Sequence, residues 1–181
     1  MQRHSESKKH NVSLMLCNIR SAQNAGAIMR TADAVGVSEV ILGGYTPGPL
    51  DRFGRERKEF TKASLGAEKN VSWRSIPNCR QELVLLKKSG SHILALEQSK
   101  DSVDYKKVVV PRKPTVAVLG NEVTGLRPQL LSLADVVAEI PMRGAKESLN
   151  VSVAAGIVLY RWFDPVRGRS RSEKYTGDKY A

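Results

Sequence analysis

Short apolar runs separated by turn-forming residues alternate along this chain with stretches whose apolar positions recur at helical spacing. The runs at residues 12–17, 39–42, 71–73, 93–96, 115–119 and 136–140 predict strands. Between them, helical periodicity predicts helices over 25–35, 61–69 and 128–133, and a further one opened by Asn78 with Gln81 as a capping box and closed by Gly90. Regular alternation of strand and helix predicts an α/β domain whose sheet is mostly parallel and flanked by helices, beginning with a compact βαβ unit. The segment GGYTPGPLDRFGRERKEF, residues 43–60, is rich in glycine, proline and charge, and is expected to be an exposed loop facing a substrate.

A last helix, capped by Ser148, is predicted to end near Asp164-Pro165. Leu149, Val151, Val153, Ala154, Ile157, Val158, Tyr160 and Trp162 leave it almost no polar face. The sheet covers one side of such a helix, and a second copy of the chain is expected to cover the other, making a homodimer. Domain boundaries are expected at a basic, flexible leader (1–10), a single domain (11–164) and a basic, disordered tail (165–181).

Charge narrows the partner. Among 181 residues, 29 are Lys or Arg against 18 acidic, a net charge of +11 that points to a polyanion, and nucleic acid fits better than a membrane surface. No run approaches the ~20 apolar residues of a membrane span and the start of the chain lacks the apolar stretch of a signal peptide, so a cytoplasmic location is expected. The two cysteines, Cys17 and Cys79, lack metal or redox spacing and read as plain thiols, and the three histidines form no cluster, so no metal site is expected.

Three segments carry candidate chemistry: NAGAIMRTADAVGV from Asn24, LGNEVTGL from Leu119 and IPMRGAKESLNVSVAAGIVLY from Ile140. In the first, Asn24 is expected just before a helix, with Arg30 in its second turn among small apolar neighbours; a guanidinium so placed wants an anion, and phosphate matches its fork. In the second, Gly120 ends a strand, where open α/β sheets hold ligands, and Gly-Asn-Glu reads equally as a ligand-facing turn or an ordinary one. Glu122 reads equally as a loop salt bridge. No strand is followed by G-x-G-x-x-G and no phosphate loop occurs, which disfavours a dehydrogenase or NTPase.

In this order and with this spacing, the three segments resemble the signature motifs of the SpoU or TrmH family of RNA 2'-O-ribose methyltransferases, within the SPOUT superfamily. The resemblance extends over residues 12–162 and takes in TKASLGAEKNVSW and ALEQS. It implies a C-terminal trefoil knot, a dimer and S-adenosyl-L-methionine as cofactor, held by Gly120, Ile140, Met142 and Leu149, with Leu96 nearby. The family's asparagine and arginine of the first motif match Asn24 and Arg30, the glutamate of the second matches Glu122, and the serine and asparagine of the third match Ser148 and Asn150. On that basis Arg30, engaged by an RNA phosphate, is expected to assist deprotonation of a ribose 2'-hydroxyl, while Asn24, Ser148 and Asn150 supply geometry and Glu122 holds the arginine or nearby backbone.

RNA contacts are expected from Arg52, Arg55, Arg57 and Lys58 in the long loop and from Arg167, Arg169 and Arg171 in the tail. With no added recognition domain, tRNA is the favoured substrate and ribosomal RNA the alternative. A non-catalytic RNA-binding protein that keeps the fold is the reading from another functional class.

Overall fold

The computed structural model describes residues 12–163. The basic leader, residues 1–10, and the tail, residues 165–181 with Arg167, Arg169 and Arg171, lie outside the described residues. The described strands are β1 (Val12–Cys17), β2 (Glu39–Gly43), β3 (Ser72–Ile76), β4 (His92–Leu96), β5 (Val103–Asp104), β6 (Thr115–Leu119) and β7 (Val136–Glu139). They form one sheet in the order β3-β2-β1-β6-β4-β7-β5, and every pairing is parallel. The predicted α/β class therefore holds, and the parallel character extends through the whole sheet.

Alternation along each central strand divides the core in two. Leu14 and Leu16 of β1, Leu94 of β4 and Ala117 and Leu119 of β6 join one apolar cluster, while Met15, Cys17, Ile93, Ala95, Val116 and Val118 join the other. Strands buried on both faces need apolar residues at every position, which is why these segments read as unbroken apolar runs. Helices α1 (Ala22–Val35), α2 (Lys58–Ser64) and α5 (Val151–Phe163) cover the first face, and α3 (Cys79–Lys88) and α4 (Pro128–Leu131) cover the second.

Several element boundaries differ from the sequence expectation, each for a local reason. Helix α1 begins at Ala22 because Ser21 caps it, its side chain accepting from the Asn24 N–H at 3.1 Å. Asn24 thus lies inside the first turn, not before the helix, and Arg30 falls in the third turn, not the second. The helix expected over 61–69 starts instead at Lys58 and breaks at Leu65 and Gly66, whose φ angles of 50° and 89° end α2 before a separate 3-10 turn at Ala67–Lys69.

The last helix starts at Val151, so Ser148 is not its cap; Asn150 is, with its side-chain oxygen accepting from the Ser152 N–H at 2.8 Å. The two-residue strand β5 has no apolar run to announce it. Within the described residues no helix is long and apolar enough to cross a membrane.

The outer face of α5 keeps the apolar character expected of it. Val153 is 51% exposed and Tyr160 50%, and a side-chain carbon added at Gly156 would meet open space. With half-buried Ile157 these residues lie at positions i, i+3, i+4 and i+7, a single stripe along the helix.

Candidate active site

Between β1 and β6 the order of connection reverses, and at such a point the carboxyl ends of neighbouring strands leave a crevice. The turn after β1 is made at Asn18, in the left-handed region at φ 59°, which asparagine tolerates better than most residues. The backbone then reaches Ser21 and α1. The loop after β6 packs against this turn, where Asn121 donates from its amide to the Asn18 carbonyl at 2.8 Å and to the Tyr45 hydroxyl at 2.9 Å.

Glu122 organises the junction. One carboxylate oxygen accepts from the Arg20 N–H at 2.8 Å. The other accepts from the Ser21 N–H at 3.1 Å and from the Asn24 side-chain amide at 3.1 Å. Partial burial by itself would raise the Glu122 pKa, but these donors outweigh it and hold the carboxyl below the ordinary glutamate range. A carboxylate held by the two N–H groups just ahead of α1 also complements the helix dipole. Asn24 passes the connection on, its oxygen accepting from the Asn150 amide at 3.2 Å. One residue from each of the three motifs is thereby linked: Glu122, Asn24 and Asn150.

Beside this chain of bonds lies a cavity of about 330 Å³ at the carboxyl ends of β4, β6 and β7. Leu96, Gly120, Ile140, Met142 and Leu149, all five residues expected around a cofactor, line it, as do Glu122 and Ser148. Gly120 has no room for a side chain, since an added carbon would stand 2.5 Å from the Gly125 carbonyl carbon. Gly125 holds φ at 62°, and a side chain there would strike the Glu97 carboxylate. Backbone therefore forms the floor of the cavity near Gly120.

The lining includes Glu97, Glu122, Glu139 and Glu147 and no lysine or arginine. Such a surface repels phosphate and suits a cationic ligand with an apolar, hydrogen-bonding body, as a sulfonium attached to a nucleoside would be.

Three contributors were not read as functional from the sequence. Glu97 accepts from the Leu126 N–H at 2.6 Å and so fixes the far end of the turn that begins at Gly120. Gln98 donates to the Glu147 carbonyl at 2.7 Å, tying the loop after β4 to the third motif. Asn121 holds its own turn by accepting from the Val123 and Thr124 N–H groups at 2.8 and 2.9 Å. An asparagine beside a glycine in a post-strand turn was the one available signal for the last of these.

Arg30 is not among the residues that line the cavity. It is exposed, about 9 Å along the axis of α1 from Asn24 and on a different face. The small residues Ala25, Gly26 and Ala32, expected to surround its guanidinium, are instead buried against the core and α2, where Gly26 lets the Phe60 carbonyl approach. Arg55 is paired with Asp51 at 2.8 Å, and Arg57 donates to the Gly48 carbonyl at 3.2 Å. Arg52 and Arg55 are exposed in the loop after β2, and Lys58 is exposed at the start of α2. Among the described residues no group of three or more His, Cys, Asp or Glu side chains is arranged to hold a metal ion.

Known proteins resemble this chain along most of its length. The model of the SpoU rRNA methylase family matches residues 11–160. A tRNA (guanosine(18)-2'-O)-methyltransferase of Aquifex aeolicus is 37% identical over 169 residues, covering 93% of this chain and 74% of that relative. The crystal structure of an A. aeolicus TrmH/SpoU tRNA modifying enzyme superposes with a TM-score of 0.73 at 35% identity, over 84% of this chain and 73% of that one. An AdoMet-bound rRNA methyltransferase from Sinorhizobium meliloti gives a TM-score of 0.74 at 31% identity, over 83% of this chain and 54% of that one. With its motifs joined through Glu122, Asn24 and Asn150 beside an acidic, backbone-floored cavity, the chain belongs to the SpoU methylase family.

Proposed function

We propose that this protein is an S-adenosyl-L-methionine-dependent methyltransferase that modifies a ribose 2'-hydroxyl in structured RNA, with tRNA favoured. The observation that carries the reading is the hydrogen-bonded link from Glu122 through Asn24 to Asn150 at the mouth of a cavity whose lining suits a cationic nucleoside. S-adenosyl-L-methionine supplies an electrophilic methyl group. Leu96, Ile140, Met142 and Leu149 would hold its apolar parts, Gly120 and its neighbours would offer backbone groups, and the lining carboxylates would balance its positive charge.

Transfer to the 2'-oxygen would break the methyl–sulfur bond of the bound donor, leave a neutral thioether and release the hydroxyl proton to solvent. Positioning supplies much of the rate, because in-line approach of two held groups removes the entropy of a bimolecular encounter. Asn24, Ser148 and Asn150 orient the ribose without adding opposing charge. Arg30 assists deprotonation while engaged by an RNA phosphate.

For Arg30 to meet the ribose, a second copy must supply it. Its exposure on α1, together with the uncovered apolar stripe of Val153, Gly156, Ile157 and Tyr160 on the adjoining helix α5, supports a homodimer in which each copy presents Arg30 to the other's cavity. A trefoil knot in the C-terminal portion and a single domain over 11–164 belong to the same reading, as does a cytoplasmic location, where both candidate RNAs are found. The relationship to a tRNA-modifying relative supports tRNA as substrate.

The test is to incubate purified protein with methyl-labelled S-adenosyl-L-methionine and bulk tRNA or ribosomal RNA, then locate alkali-resistant ribose. Label in 2'-O-methyl nucleosides of tRNA is expected. Cofactor binding without transfer to either RNA would replace this reading with a non-catalytic RNA-binding protein.

A further inference from the structure

The loop between β2 and α2 is a built hairpin. Its first residues are pinned to the sheet by Thr46, whose buried hydroxyl accepts from the Ile19 N–H at 3.0 Å and donates toward the Leu16 and Gly43 carbonyls. Leu50 bridges Glu56, the Arg57 N–H donates to the Pro49 carbonyl at 2.8 Å, and the Asp51 N–H donates to the Arg55 carbonyl at 2.8 Å. Inside the tip, one carboxylate oxygen of Asp51 accepts from the Phe53 and Arg55 N–H groups at 2.8 and 3.0 Å. Backbone so completely paired does not need an apolar side chain at its summit to hold it.

Phe53 stands there nonetheless, 65% exposed, whereas Phe60 and Phe163 are buried at 0% and 5%. The guanidinium carbons of Arg52 and Arg55 lie 4.7 and 4.9 Å from the centre of its ring. Arg55 is held by Asp51, while Arg52 has no other side-chain partner among the described residues. A rigid aromatic flanked by arginines is the composition of an interaction hot spot, and the +11 charge of the chain selects a polyanion.

We propose that this hairpin tip is a stacking platform for an unpaired nucleobase of the RNA substrate, with the Phe53 ring against the base, Arg52 swinging to a flanking phosphate and Arg55 fixed beside it. Aromatic faces recognise unstacked bases in this way, and cationic neighbours secure the backbone on either side. The platform rises from the end of the sheet that carries the active site, since Tyr45, at the base of the same loop, meets Asn121 through its hydroxyl. The inference rests on the proposed RNA methyltransferase function and specifies how its substrate is gripped.

Equilibrium binding of the full-length protein to bulk tRNA, measured over a series of salt concentrations, tests it. Phe53→Ala is expected to weaken binding by about 5- to 150-fold at every salt concentration, the range of one stacking contact. The slope of log affinity against log salt should stay unchanged, Phe53→Trp should restore affinity, and Arg52→Gln should flatten the slope by about 0.7–0.9. Unchanged affinity in Phe53→Ala overturns the proposal. Full binding by Phe53→Leu overturns it too, because apolar bulk without a π face would then suffice. A shift of Phe53→Ala from dimer to monomer on a sizing column would assign the ring to a second copy of the chain instead. Wild-type methyl transfer to the same tRNA runs as the control: its absence defeats the functional reading, while its presence with unaltered Phe53 variants defeats only the platform.

Discussion

Glu122 accepts three hydrogen bonds, and its depressed pKa gives them a pH signature. A carboxyl whose folded pKa lies below its unfolded value contributes stability that is fully present above the ordinary glutamate pKa of about 4.3, and loses it as pH falls through the folded value. Glu122→Gln is therefore expected to cost about 1 kcal/mol at neutral pH, solvent screening at this half-exposed position included, with the difference from wild type closing as pH drops below about 4. Chemical denaturation of both proteins across that range checks it; a difference that does not vary with pH would mean the charge is irrelevant. Arg30→Ala is expected to abolish methyl transfer with little change in cofactor affinity, and calorimetry beside a transfer assay separates the two. Local placement was less legible: Asn24 lies within the first turn of α1 and Asn150, not Ser148, caps α5. Asn24 and Asn150 are assigned to one site by the family resemblance, but their bond to each other joins positions that no local pattern relates.

At the scale of elements, the strands were legible and the breaks were not. Buried parallel strands demand continuous apolar runs, and β1, β4 and β6 supply them. The interruption of α2 at Leu65 depends on a left-handed non-glycine residue, and β5 on pairing with β7, neither of which leaves a periodic trace. The turn from Gly120 to Leu126 has no room to spare, because a side-chain carbon at Gly120 would strike the Gly125 backbone and one at Gly125 would strike the Glu97 carboxylate. Gly120→Ala should push the Gly125 backbone away, destabilise the protein by roughly 1–3 kcal/mol as overpacking does, and weaken S-adenosyl-L-methionine binding more than RNA binding. Thermal unfolding with calorimetry on the variant measures both, and intact cofactor affinity would show that the cavity floor yields.

For the whole molecule, the apolar stripe on α5 was legible because its cause, an almost entirely apolar helix, is written in composition. Val153→Asp places a charge in that stripe and is expected to yield monomers without transfer activity, read by light scattering and the methylation assay. A mixing experiment separates a structural dimer from a shared site. Arg30→Ala and Asn150→Ala chains, each inactive alone, should regain about a quarter of wild-type activity when co-refolded, since half the dimers are then mixed and each carries one complete site. No recovery would confine Arg30 to its own chain. The accepting carboxylate of Glu122 lies 102 positions from Arg20, and Asn150 lies 126 from Asn24. Bonds of that reach form late, after the intervening loops have closed. Under the proposed function, a growing polypeptide would therefore lack a complete site until Asn150 has emerged and docked against Asn24.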